Sequence, residues 1–250
     1  MSKYYIFDTE TDGQDSQGLI QLSVCNQDNE VVFNEYCNPE GDIKAAALAV
    51  HGLTPNFLKD KKNVSPIYSY IYKEMVGSPH IFVAQNGQFD IDVVNTFLER
   101  NYGLPLPSTN KIAYSPGEKV SFSPKLLDTL RLAKHFIDPL EIGNFKLDTL
   151  FVFLFPKKVK QMFKRRNSHD AAEDCKMTNE VMIELGKRYM DTDNVQDIYN
   201  KAMTPYILET WPMGKYKGQP LEEADFGYIR WAKNTLDDPD LKFSLELKGL

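Results

Sequence analysis

The order of the predicted elements along the chain is the feature that most constrains its fold. Runs rich in aliphatic and aromatic residues come first, at 3–8, 19–26 and 30–36, and they predict three strands. Further along, a short buried strand at 81–84 is followed by apolar residues at helical spacing, and strands then alternate with helices. This order predicts an α/β fold in which helices flank a mixed β-sheet.

Carboxylates follow two of the predicted strands. Asp8 and Glu10 come at the end of the first strand, and because side chains alternate along a strand, both project from one face. Two such carboxylates repel each other unless a cation lies between them. Asp90 follows the strand at 81–84 and lies at a predicted helix start, where carboxylates are common as caps. Taken alone, a polar turn after the strand and a helix cap are the commoner interpretations.

A third polar group opens the last long predicted helix, which runs to about Tyr189 and which Asn167 or Ser168 could cap. His169 and Asp174 would lie about 140° apart around one helix, so they converge only if His169 lies in a loop or an irregular first turn. A histidine at such a helix start suits a proton shuttle near neutral pH. Taken alone, it is more often an ordinary surface residue.

Together these groups supply four carboxylates and one imidazole, a set that suits phosphodiester cleavage at a two-metal site. Hard cations such as Mg²⁺ prefer oxygen ligands and keep several waters. Two such ions, about 3.5–4 Å apart, stabilise both the attacking and the leaving oxygen of the displacement. A nearby base then takes a proton from the attacking water. This chemistry requires no cysteine, Ser–His pair or organic cofactor.

The ordered set resembles the motifs of the DEDDh (DnaQ-like) family of 3′→5′ exonucleases over about residues 1–190. The matching motifs are Asp8 with Glu10, then Asn86-x-x-Phe89-Asp90, then His169-x-x-x-x-Asp174. The resemblance implies a ribonuclease H-like fold and a metal-dependent exonuclease that releases nucleoside 5′-monophosphates from the 3′ end of DNA.

The resemblance also implies roles for single residues. Asp8, Glu10 and Asp174 would bind one Mg²⁺ directly, and Asp8 would share a second ion that Asp90 holds directly or through water. Mn²⁺ is expected to substitute for Mg²⁺, and His169 would be the general base. The backbone around Thr9 and Glu10 would meet the terminal nucleotide. The full set expected to contact substrate comprises Thr9, Asn86, Phe89, Lys164, Arg165 and Arg166.

The segment 157–166 is the strongest charge feature of the chain. It holds six basic residues and no acidic one, although the whole chain has a net charge of −6. Because it ends three residues before His169, we expect a phosphate clamp on the incoming strand, formed by Lys164, Arg165 and Arg166. The alternative interpretation is a solvated helix face.

The C-terminal part of the chain is predicted to form a connector at 191–210 and a small α+β module at 211–250, called the C-terminal module below. Residues 211–218 and 225–231 resemble the module that follows the nuclease domain in exonucleases of the exodeoxyribonuclease X type. Its aromatic residues could stack on bases, but most are expected to build its core: Tyr216, Tyr228 and Trp231.

The composition indicates a globular protein that acts in the cytoplasm. No stretch is long and apolar enough to span a membrane, no signal peptide is apparent, and no membrane partner is expected. The three cysteines are widely spaced, which argues against a zinc site and a disulfide framework. The expected partner is nucleic acid, namely DNA with a free 3′ end. The sequence does not identify a protein partner for the C-terminal module.

Three alternatives stay open at this point. Exoribonuclease or oligoribonuclease-type trimming keeps the chemistry, and the treatment of the 2′-hydroxyl would decide it. A polymerase-associated proofreading exonuclease would use the same residues. A catalytically dead nucleic-acid-binding adaptor is disfavoured, because all five active-site residues are present.

Overall fold

A computed structural model describes residues 3–14, 18–39, 41–101, 120–160 and 170–250. Its centre is a five-stranded sheet in the order β3-β2-β1-β4-β5. The strands are β1 (Tyr4–Thr11), β2 (Leu19–Asn26), β3 (Val31–Tyr36), β4 (Ile81–Ala84) and β5 (Lys125–Asp128). The first three form an antiparallel meander, and β4 and β5 extend the sheet in parallel with β1. The predicted mixed sheet flanked by helices is therefore confirmed.

Helices follow the strands on both sides of the sheet. They are α1 (Ala45–His51), α2 (Pro55–Leu58), α3 (Ser65–Tyr70), α4 (Gly87–Arg100), α5 (Thr129–Lys134), α6 (Pro139–Ile142), α7 (Leu147–Leu154), α8 (Ala171–Met190), α9 (Val195–Ala202), α10 (Phe226–Thr235) and α11 (Pro239–Leu247). A π-helical turn at Ile71–Met75 continues α3. Among the described residues, no helix is both long enough and apolar enough to cross a membrane.

The sheet separates two apolar cores, and β1 contributes alternate side chains to each. Ile6 lies in the same core as Cys175 and Val181 of α8. Phe7 lies in the opposite core, together with Val94 of α4. Full burial of such a side chain stabilises the fold by about 1.5–3 kcal/mol. Since side chains alternate along a strand, positions 8 and 10 continue the face covered by α8, and position 9 continues the face covered by α4.

Helix α4 begins earlier than the sequence predicted. Asp90 lies in its first turn rather than at a cap, and Asn86 precedes the helix with a left-handed backbone, φ 60°. The carboxylate of Asp128, at the end of β5, accepts hydrogen bonds from the backbone N–H of Asn86 (3.0 Å) and of Gly87 (3.2 Å). A Cβ on Gly87 would lie 2.8 Å from the Cβ of Ala84, which has no rotatable side chain to move away, so this close approach favours glycine at the entry to α4.

Helix α8 is capped by Asp170, whose carboxylate accepts a hydrogen bond from the backbone N–H of Ala172 at 3.2 Å. The caps expected from the sequence were Asn167 and Ser168, which lie outside the described residues. A carboxylate at this position satisfies an orphan donor and complements the helix dipole. Because α8 lies across β1 and β2, its start is fixed beside the end of the central strand.

The segment 191–210, expected to be a connector, contains helix α9. Val195, Ile198 and Ala202 of this helix are buried in the same core as α8. The segment therefore packs on the α/β core rather than only linking two parts of the chain.

The C-terminal module has a core of its own around Trp211, Leu221 and Leu245. Its regular secondary structure is helical, where an α+β module was expected, and the β-structure among its described residues is a single bridge from Pro220 to Thr210 of the preceding segment. The separate core agrees with the predicted boundary near 211, but the division into domains stays a prediction.

Arg131 of α5 joins the C-terminal module to the α/β part. Its guanidinium forms a bidentate pair with the nearly buried Asp240 of α11, at 2.5 and 2.7 Å, and Nε donates to the Ala202 carbonyl at 2.7 Å. The backbone N–H of Tyr206 also donates to Asp240, at 3.2 Å. Bidentate pairs of this kind add geometric specificity as well as energy, so the module is docked in one orientation.

Candidate active site at the end of strand β1

Three carboxylates converge where β1 ends. Asp8 and Glu10 project from the face of β1 that α8 covers, and Asp174 lies in the first turn of α8. One carboxylate oxygen from each of the three lies within 4.8 Å of the others. The sheet and α8 thus bring together residues that are more than 160 positions apart in the sequence. A set of carboxylate oxygens is what hard divalent cations bind.

Burial and mutual repulsion make this cluster electrostatically strained. Burial, followed by the charges of Asp90, Asp174 and Glu10, raises the pKa of Asp8 well above its usual range. Burial, followed by the charge of Asp174, raises the pKa of Glu10 to about 8. The neighbouring charges that raise these two pKa values are all carboxylates, and Asp170 is one of them. A bound cation would favour the ionised forms.

Asp90 lies on the opposite layer of the sheet, outside the three carboxylates whose oxygens converge, but near enough for its charge to raise the pKa of Asp8 and of Glu10, and Thr9 holds it in place. Its Oδ1 accepts hydrogen bonds from the backbone N–H of Thr9 at 3.0 Å and from the Thr9 hydroxyl at 2.6 Å. Burial raises the pKa of Asp90 to about 7, while the hydrogen bonds from Thr9 act in the opposite direction. The N–H of Thr9 thus already has a partner within the protein, and contact of the backbone around Thr9 and Glu10 with the terminal nucleotide stays a prediction.

Gln21 is a supporting residue that the sequence reasoning missed. It lies on β2 directly opposite Glu10 and is fully buried. Its side-chain amide donates to Asp170 at 2.6 Å and accepts from the backbone N–H of Ala171 at 3.4 Å. This bridge ties the start of α8 to the sheet and so sets the position of Asp174. The available signal was a glutamine inside the apolar run 19–26.

The remaining residues of the second motif lie at the start of α4. Asn86 is exposed, and its carbonyl accepts the backbone N–H of Phe89 at 3.1 Å. The ring of Phe89 is 39% exposed, which leaves it accessible to a ligand. Both residues thus lie on the surface one turn or less from Asp90.

Four residues expected at this site lie outside the described residues: His169, Lys164, Arg165 and Arg166. The described beginning of the basic segment includes Lys158, whose ammonium pairs with Glu180 of α8 at 2.8 Å and lies over the ring of Phe155. Lys158 therefore contacts α8 and Phe155, and the phosphate clamp of Lys164, Arg165 and Arg166 stays a prediction.

Comparison with known proteins agrees with this geometry. The model of the RNase_T family, described as Exonuclease, matches residues 5–182. Exodeoxyribonuclease 10 of Escherichia coli strain K12 is 26% identical over 250 residues, covering 96% of both chains. The DNA polymerase III subunit epsilon of Rickettsia prowazekii is 28% identical over 190 residues, covering 72% of both chains.

A solved structure has the same fold at low sequence identity. The zinc-bound E. coli ExoI–ssDNA complex superposes with a TM-score of 0.56 and 19% identity. The match covers 80% of this chain and 42% of that chain, so the likeness concerns the common α/β fold.

Proposed function

The chain belongs to the exonuclease family, and we propose that it hydrolyses DNA from the 3′ end and releases nucleoside 5′-monophosphates one at a time. The observation that carries the proposal is the convergence of Asp8, Glu10 and Asp174 at the end of β1. The relative that matches nearly the whole chain is named an exodeoxyribonuclease, which favours DNA as the substrate.

The donor set of the cluster fits divalent metal ions. Carboxylate oxygens suit Mg²⁺ or Mn²⁺, and the raised pKa values of Asp8 and Glu10 are those of acids that lack a counter-charge. Asp8, Glu10 and Asp174 would hold one ion, and Asp8 with Asp90 a second. When bound, the two ions would supply stabilisation of the attacking and leaving oxygens of the phosphodiester.

The protein's own groups complete the proposed reaction. His169 would take the proton of the attacking water, since a general base must come within hydrogen-bond reach of it. Thr9 keeps Oδ1 of Asp90 oriented through two hydrogen bonds. Gln21 and Asp170 keep the start of α8, and with it Asp174, against the sheet. The basic residues 164–166 would bind the phosphates of the incoming strand.

A stand-alone exonuclease is favoured over a polymerase-associated proofreading subunit. The match to Exodeoxyribonuclease 10 covers 96% of the chain and therefore includes most of the C-terminal module, whereas the match to the polymerase subunit covers 72%. Exodeoxyribonuclease 10 is therefore long enough to contain a counterpart of the C-terminal module.

Digestion of end-labelled substrates tests the proposal. The protein is incubated with Mg²⁺ and single-stranded DNA, duplex DNA or RNA, each labelled in turn at its 5′ or 3′ end. We expect a 5′ label to give a ladder that shortens by single nucleotides and a 3′ label to appear at once as a mononucleotide. Release of a 5′-labelled mononucleotide, internal cuts, or faster digestion of RNA than of DNA would contradict the proposal.

Two matched variants identify the residues responsible. Asp90→Asn removes a carboxylate beside the cluster, whereas Asp92→Asn removes one from an exposed position of the same helix. We expect the first variant to lose cleavage and the second to retain it. Cleavage by Asp90→Asn at the rate of Asp92→Asn and of the wild type would show that Asp90 takes no part in the reaction.

A further inference from the structure

Residues 84–87, called the entry turn below, lead from the end of strand β4 into helix α4, and Asp90 follows in the first turn of that helix. The direction of the Asp90 side chain therefore depends on how the entry turn is held. Asn86 in this turn has a left-handed backbone, φ 60°, which is uncommon for any residue but glycine. Such a backbone persists only where its surroundings hold it, so the contacts of the entry turn decide where α4 begins.

The carboxylate of Asp128 holds the second half of the entry turn. Strand β5 pairs with β4 in parallel, with Asp128 opposite Ala84. Oδ1 of Asp128 accepts the backbone N–H of Asn86 at 3.0 Å, and Oδ2 accepts that of Gly87 at 3.2 Å. Oδ1 also accepts the N–H of Leu130 at 2.9 Å and so caps helix α5. Both oxygens of one carboxylate thus fix the starts of two helices.

Thr129, the next residue along the chain, holds the first half of the entry turn. Its side chain is fully buried. Its hydroxyl oxygen lies 3.2 Å from the Ala84 carbonyl oxygen and 2.5 Å from Oε1 of Gln85, and both of these atoms are hydrogen-bond acceptors. The side-chain amide of Gln85 in turn donates to the Phe145 carbonyl at 2.7 Å. Together with Asp128, Thr129 therefore contacts all four residues of the entry turn.

A displacement of the entry turn would reach the carboxylate of Asp90. Gly87 and Asp90 belong to the same turn of α4, and the N–H of Phe89 donates to the Asn86 carbonyl at 3.1 Å, so this stretch is already helical. Asp90 is 3% exposed, which leaves its side chain little room to compensate for a shift of its backbone. Its bonds to Thr9 of strand β1 are therefore made only when α4 begins in the right place.

These contacts are more than an ordinary helix cap. Asp138 caps helix α6 with the same local bond, which it accepts from the N–H of Leu140 at 2.8 Å. Among the described residues, the Asp138 side chain has no hydrogen bond to another helix or strand. Asp128 differs because it also accepts two N–H groups at the entry to α4. Asp138 is therefore a matched control, since a change there removes a cap without touching the entry turn.

We propose that Asp128, together with Thr129, is a positioning residue of the active site that fixes the direction of Asp90 through the entry turn. Asp128 is not one of the three carboxylates that converge, and it acts on Asp90 through the backbone. The geometry of a reaction tolerates little displacement, and a shift of about 1 Å lowers a rate by up to about 100-fold. The consequence for cleavage rests on the proposed function, whereas the link between Asp128 and Asp90 does not.

Hydrogen exchange in the metal-free protein tests this link. Asp128→Asn keeps the shape of the side chain, but its NH₂ group cannot accept a hydrogen bond, so at least one N–H group loses its partner. The amide of Thr9 donates to Asp90 and reports on the position of that carboxylate. We expect it to exchange about twofold to tenfold faster, the effect of one hydrogen bond, relative to the Phe7 amide of the same strand. In Asp138→Asn the ratio of the two exchange rates should equal that of the wild type.

Kinetics with end-labelled single-stranded DNA give a second measurement. We expect Asp128→Asn to lower the single-turnover rate in Mg²⁺ about tenfold to 100-fold at saturating DNA, where a change in affinity does not enter. Asp138→Asn should keep the wild-type rate. Thr129→Val keeps the shape of the side chain but removes the hydroxyl, so it should change the exchange ratio and the rate in the same direction. This variant provides the test if Asp128→Asn does not fold.

The outcomes distinguish the positioning role from the proposed function. An unchanged ratio of the Thr9 and Phe7 exchange rates in Asp128→Asn would overturn the positioning role, whatever the cleavage rate. An equal loss of cleavage in Asp138→Asn would also overturn it, because the loss of any helix cap would then be sufficient. Failure of the wild type to digest DNA in Mg²⁺ would contradict the nuclease activity, and the exchange ratio alone would then decide whether Asp128 positions Asp90.

Discussion

Replacement of Glu10 by glutamine should stabilise the metal-free protein at alkaline pH. The pKa of Glu10 is raised from 4.5 to about 8 by burial and by Asp174, so the folded protein keeps a proton that the unfolded chain has lost. For an acid with a raised pKa, stability falls as the pH rises from the unfolded to the folded value. Glu10→Gln removes the ionisable group and therefore this loss.

The size of the effect follows from the pKa shift. One proton held only by the folded state changes the free energy of unfolding by about 1.4 kcal/mol per pH unit. Between about pH 6 and about pH 8 the loss from Glu10 alone is about 2 kcal/mol. Asp8 and Asp90 also have raised pKa values and add to the loss in the wild type.

Urea unfolding with a chelator, followed at several pH values, measures this dependence. We expect the free energy of unfolding of the wild type to fall across the interval and that of Glu10→Gln to fall less steeply. Glu35→Gln, which changes an exposed carboxylate of strand β3, is the matched control and should follow the wild type. Added Mg²⁺ should stabilise the wild type more than Glu10→Gln, because a ligand stabilises the state that binds it.

Two results would refute the reasoning. A wild-type stability that does not change over this interval would show that the carboxylates are not strained in the folded protein. A slope for Glu10→Gln equal to that of the wild type would show that Glu10 does not carry the extra proton.

Three further predictions concern the reaction. His169→Ala should lower turnover by about 10²–10⁴-fold without weakening DNA binding, and the pH–rate profile should lose its rise on the alkaline side; an unchanged profile would remove the assignment. Glutamine at all three positions 164–166 should make the salt dependence of single-stranded DNA binding shallower by up to ~2, and the single-turnover rate at saturating DNA should not change. A salt dependence equal to that of the wild type would show that these residues are solvated surface. Thr9→Val keeps the shape of the side chain but removes the hydroxyl donor to Asp90, so the cleavage rate should fall and the pKa of Asp90, followed by NMR, should rise; an unchanged pKa would exclude this positioning role.

The sequence determined the elements and the chemical type of the site. Period-two and helical patterns are local, so they predicted the first three strands, the strand at 81–84 and the long helix that carries Asp174. The alternation of side chains along a strand was also enough to place Asp8 and Glu10 on one face.

Helix boundaries were less predictable, because contacts with distant residues decide them. Asp90 proved to lie inside α4, since Asp128 of another strand holds the turn at Asn86 and Gly87 that opens the helix. The cap of α8 is Asp170, which Gln21 holds from strand β2.

Tertiary structure alone decided which distant groups meet. Packing of α8 on the face of β1 brings Asp174 to Asp8, and packing of α4 on the other face brings Asp90 to Thr9. In the C-terminal module, Trp211 and Trp231 both lie in segments that contain other aromatic residues, yet Trp211 is buried and Trp231 is exposed. Local sequence patterns carry no information about such pairings, because burial and electrostatic coupling depend on neighbours that the chain brings together only when it folds.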